Sequence, residues 1–120
     1  MTISNKFSAL DNREAAVLDD FRPDQRTVFE SICAGYEADF RPETDLERDT
    51  VYCLATLRWG IDRIRAAERQ TREIFQHHGY VPPKFRLALD ELAAYQRELD
   101  TRYEYYFSHV LRLQRAREAA

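Results

Sequence analysis

Glycine and proline are scarce, at three and four among 120 residues, too few for a collagen-like or loop-dominated chain. Cysteine is nearly as rare. Cys33 and Cys53 stand alone with no CxxC spacing, which indicates neither a disulfide framework nor a zinc-finger pattern, so both are expected as reduced core thiols. No apolar run approaches the ~18 residues of a membrane span, and the opening MTISNKFSAL has no apolar signal core, so no membrane association and a cytoplasmic location are expected. An excess of one charge is also missing. Eighteen basic residues against 21 acidic ones leave a net −3, no global field for nucleic acid or anionic lipid. There is no Gly-rich phosphate loop, Gly-x-Ser-x-Gly, His-Glu-x-x-His or EF-hand pattern, and no Glu-x-x-His pair of the di-iron bundle kind. A non-enzymatic protein without a cofactor is therefore expected.

What is present is a helical pattern over a 44% hydrophobic composition that includes seven Phe and seven Tyr. Residues 1–22 read as an N-terminal arm, with a short helix from about Arg13 to Asp20 capped by Asp11 or Asn12. Residues 23–120 read as one helical domain. Pro23 suits a first helical turn, and Val28, Phe29, Ile32, Cys33, Tyr36 and Phe40 recur at helical spacing until Arg41-Pro42 breaks the pattern, giving a first helix over about 23–40. Thr44-Asp45-Leu46-Glu47 has the form of a capping box. The stripe Leu54, Leu57, Ile61, Ile64, Glu68, Thr71, Phe75, His78 then steps alternately three and four residues toward Gly79, predicting a second helix over about 45–78 with Gly79 as a left-handed cap.

After the stiff Tyr80-Val81-Pro82-Pro83 connector, Phe85, Leu92, Leu99, Tyr106 and Leu113 fall seven apart, and Ala88, Leu89, Tyr95, Tyr103 and Val110 widen their stripe. They predict a third helix over about 83–117. Two rods of similar length joined by so short a link form an antiparallel hairpin, in which facing residues sum to about 162. The first helix folds back on the second with facing residues summing to about 84 by the same argument. The expected fold class is all-α, a three-helix arrangement in which the long hairpin carries one helix of about half its length. That shortfall leaves Ile64, Phe75, Phe85, Leu89 and Leu92 thinly covered, so assembly into a helical-bundle homo-oligomer is expected, the alternative being that residues 1–22 lie back over this surface.

The order Phe29, Tyr36, Phe40, then RPETDLERD from Arg41 to Asp49, LRWGIDRI from Leu57 to Ile64, and Glu68 resembles a group of bacterial proteins found especially in acidobacteria. The stretch LAAYQRELDTRYEYYFSHVLRLQ from Leu92 to Gln114 resembles the closing helix of the same group, so the similarity spans about residues 28–114. The N-terminal NKFSALDNREAA departs from that group's basic stretch by lacking its His and Gly. The resemblance implies a helical fold and no particular activity.

Three sets of residues are candidates for function. The seam set is Ile64, Glu68, Thr71, Phe75, Phe85, Leu92 and Tyr95, in which Glu68 and Thr71 interrupt an apolar stripe. The register puts Tyr95 opposite Glu68, so a Tyr95 or Arg hydrogen bond is expected there. A partner protein is the second expectation for this surface. The alternative of a nucleic-acid accessory module rests on Arg58, Arg65, Arg69 and Arg72, since arginine contacts phosphate well, although arginine on amphipathic helices more often covers apolar surface and pairs with carboxylates. A metal or small-ligand bundle, the second alternative, would use Cys33, Cys53 and His109, which the register places near one layer. His77 and His78 suit a helix C-terminus, where cationic side chains oppose the dipole.

Overall fold

The computed structural model describes residues 23–76 and 79–119, so the arm, its Arg13–Asp20 helix and the His77-His78 pair lie outside the described residues. Three helices account for the described fold: α1 over Pro23–Phe40, α2 over Asp45–Phe75 and α3 over Pro83–Ala119. No strand occurs among the described residues. The class is all-α.

The ends of the helices follow from local chemistry. α1 stops where Arg41 adopts a left-handed conformation with φ 47° and donates its N–H to Glu37 O at 2.9 Å, after which Pro42 prevents continuation. Thr44 is extended, and its hydroxyl accepts from Glu47 N at 3.1 Å, which caps α2. The expected second half of the capping box is shifted by one residue: the Glu47 carboxylate takes the N–H of Glu43, at 3.3 Å, instead of that of Thr44.

The far end of α2 departs from expectation. The α-helix finishes at Phe75 instead of His78, because Gln76 keeps right-handed dihedrals but donates to Glu73 O, a tighter turn that ends the regular ladder. Gly79 does adopt the left-handed conformation, φ 76°, but as a residue of the connecting turn and not as the C-cap. α3 begins at Pro83 as the sequence suggests, with Arg86 N donating to Pro82 O, and extends two residues beyond the predicted end.

α2 and α3 form the antiparallel hairpin in the predicted register. At the turn end Phe75 meets Phe85, with ring centroids 4.8 Å apart. Midway, Leu57, Ile61 and Ile64 cluster with Tyr95 and Leu99; toward the other end, Val51 and Leu54 pack with Val110. α1 lies against the half of the hairpin away from that turn. Phe29 sets its ring edge-on to Tyr52 and Trp59, while Tyr36 and Phe40 reach across to Tyr103 and Phe107 of α3.

The consequence is a gradient along the rod. Buried residues of α2 run from Glu47 to Ile64 and then cease, although the helix continues for eleven more residues. We call the end covered by α1 closed and the α2–α3 turn end open.

The left-handed Gly79 gives a direct check on the open-end turn. A Cβ there would meet nothing within 4 Å, so any cost of substitution comes from the backbone alone. Gly79→Val is expected to lower stability by about 1 kcal/mol, and Gly79→Asn by less, in urea denaturation.

Candidate functional site

At the closed end the register brings two charged residues together that no motif announces. Glu47, in the first turn of α2, is only 1% exposed. Its Oε2 accepts from Arg117 Nε of α3 at 2.8 Å, while Arg117 Nη1 reaches Glu43 Oε2, also at 2.8 Å. Gln114 of α3 donates to Phe40 O, so the last turn of α1 is held by the same stretch of chain. The Arg117 bond, more than the Glu43 N–H, holds the Glu47 carboxyl below its ordinary value of 4.5 against the opposing effect of burial. Beside this clamp Tyr36 and Phe40 stack, and the Tyr36 and Tyr103 hydroxyls hydrogen-bond; burial first, and then that bond, pushes the Tyr36 phenol upward. These groups fix the three helices to one another.

The seam residues take defined places. Ile64 and Tyr95 are buried in the hairpin core with Leu92 packed against it, and the Thr71 hydroxyl returns to Ala67 O on its own helix. Glu68 is served one position away from Tyr95: Gln96, with its amide turned to suit both neighbours, donates to Glu68 Oε1 at 2.9 Å and accepts from Arg65 Nε at 3.2 Å. A polar contact thus crosses the seam at the start of the open half, with Gln96, in place of the expected Tyr95 or Arg, as the partner of Glu68 and with Arg65 on the other side of the amide.

The arginine series does not form a uniform basic stripe. Arg58 is held by Asp62 at 3.0 Å and Arg65 turns toward Gln96, while Arg69 and Arg72 are exposed. Cys33, Cys53 and His109 do not assemble either. His109 stacks on Tyr105 with the rings 11° from parallel, and among the described residues no three His, Cys, Asp or Glu side chains form a group able to hold a metal ion. Burial, then Glu37 and Glu30, push the Cys33 thiol up, which disfavours the thiolate a metal or a nucleophilic role would need.

The open end carries most of the strongly exposed large apolar side chains: Ile74 at 64%, Tyr80 at 64% and Leu87 at 61%, with Phe85 beside them at 36%. Of these the sequence reading singled out only Phe85. Ile74 and Leu87 fall off the heptad stripe that faces the hairpin partner, so periodicity alone does not mark them. Two further features carry no motif in the sequence, the Glu47–Arg117 pair and a groove between α1 and α2. The pair had a usable signal, since the hairpin register places positions 47 and 117 opposite one another.

No known protein family matches the chain, and neither a curated protein nor a solved structure does.

The lowered Glu47 carboxyl predicts acid lability with a definite sign. A carboxylate that binds its proton less tightly when folded stabilises the fold above its unfolded value, near 4.5, and loses that contribution as pH falls through the lower folded value. The urea midpoint of the parent should therefore drop on acidification below pH 4.5, and that of Glu47→Gln should drop less. Glu47→Ala should cost about 2 kcal/mol at neutral pH, and its effect should be strongly non-additive with Arg117→Met.

Proposed function

We propose that this chain is a small cytoplasmic helical protein that works by self-association and by contact with partner proteins, without chemistry of its own. The observation that carries the reading is the open end of the hairpin, where Ile74, Tyr80 and Leu87 are each more than 60% exposed. Several large apolar side chains exposed near one end of a rod favour an interface there more than a single exposed one does. An antiparallel pair of helices closes such a face most simply against a second copy, giving a four-helix layer around the polar Glu68–Gln96–Arg65 contact. A polar layer in that position favours particular registers of association. No helix among the described residues is long and apolar enough to cross a membrane. The similarity of residues 28–114 to bacterial helical proteins is part of this proposal and is consistent with it.

Sedimentation velocity over a wide concentration range tests the reading. The parent should shift from monomer toward a closed oligomer, and Ile74→Glu with Leu87→Glu should weaken association at least about tenfold while leaving the circular dichroism unchanged. A parent that stays monomeric at every concentration overturns it. Salt-sensitive retention on heparin that depends on Arg69 and Arg72 would instead favour nucleic acid.

A further inference from the structure

The face of the hairpin that carries α1 continues past the point where α1 begins. On α3, Tyr103 and Phe107 meet Tyr36 and Phe40 of α1, and Gln96, seven residues before Tyr103, lies on the same side of the helix. On α2, Asp62 borders α1 together with Val28 and Ile32 and pairs with Arg58. The steps from Asp62 to Arg65, Arg69 and Arg72 are three, four and three residues, so these arginines extend that side of α2 into the open half. The Arg65–Gln96 contact joins the two tracks. All three arginines are exposed, and among the described residues none of them forms an ion pair.

α1 has the opposite charge. It carries four carboxylates against the single Arg26, a net −3, and its Glu30 and Glu37 are exposed and form no ion pair among the described residues. Glu30 and Glu37 are seven residues apart, as are Arg65 and Arg72, so each pair spans about 10 Å of helix. The lengths agree as well. Two 18-residue α1 helices end to end span about 54 Å, against about 55 Å for the 37 residues of α3. Two chains laid antiparallel can thus share one layer between their hairpins, each α1 filling the half that the other leaves open.

We infer that the open half of this face receives α1 of a second copy, with Glu30 and Glu37 of one chain against Arg65, Arg69 and Arg72 of the other. The inference rests on the self-association proposed above and names the two surfaces that meet. The contact is made twice about a two-fold axis, so assembly closes at the dimer.

Charge reversal on each surface tests it. Arg69→Glu with Arg72→Glu, and separately Glu30→Arg with Glu37→Arg, set like charges against each other at both contacts. Each variant alone should associate at least about tenfold more weakly than the parent in sedimentation velocity, with unchanged circular dichroism. An equimolar mixture of the two variants opposes unlike charges at both contacts and should regain association as a heterodimer, and added salt should weaken the parent dimer. If the parent associates but the mixture does so no better than either variant alone, the inference falls and self-association stands. A parent that stays monomeric, or that binds an acidic polymer through Arg69 and Arg72 in place of a second copy, overturns both.

Discussion

Glu47 is held from both directions along the chain. Behind it, Thr44 and Glu43 meet it across the turn that joins α1 to α2; ahead of it by seventy residues, Arg117 closes on it from the end of α3. A carboxylate that is 1% exposed tolerates few alternative arrangements, because any slip of α3 would leave it charged and without its arginine. Its energetic worth lies in the arrangements it disfavours. With the hairpin register pinned at this end, the pairing of Val51 and Leu54 with Val110, then of Ile61 with Leu99, and finally of Phe75 with Phe85 follows from the helical repeat alone.

The same clamp decides where α1 lies. The Arg41 turn and the Gln114 bond to Phe40 O hold the C-terminus of α1 beside Glu47, so an 18-residue helix folded back from there can cover only part of a 31-residue partner. Burial along α2 ends at Ile64, close to where Gln25 meets Arg63 near the start of α1. Among the described residues, the open end is thus the stretch of the hairpin that α1 does not reach.

Much of this was legible in the sequence, for physical reasons that differ by element. Helix starts were clear because Pro23, Thr44 and Pro83 each solve a backbone problem specific to a first turn. The end of α2 was misread because Gly79 signals a left-handed residue and not the distance from it to the last regular turn; Gln76 tightens the helix earlier. The hairpin register was legible from heptads, but the partner of Glu68 was not, since Tyr95 and Gln96 are neighbours and one helical position decides which of them faces across the seam. Glu47 was read as a local capping residue, which it is. Its second role depends on a residue seventy positions away and became visible only with the helices in place. The Arg58 series looked like a stripe in the sequence, whereas two of its four members are engaged by neighbours.

The two halves of the hairpin are unequal: a closed half held by three helices and an open half that, in the function proposed above, a second copy covers. Amide hydrogen exchange along α2 and α3 tests this most directly. At low protein concentration, residues 47–64 and 95–117 should exchange slowly while residues 65–76 and 83–92 exchange fast. Raising the concentration should slow the second group and leave the first unchanged. Equal protection of both halves at every concentration would contradict the account, because the open half would then be as well covered within one chain as the closed half is.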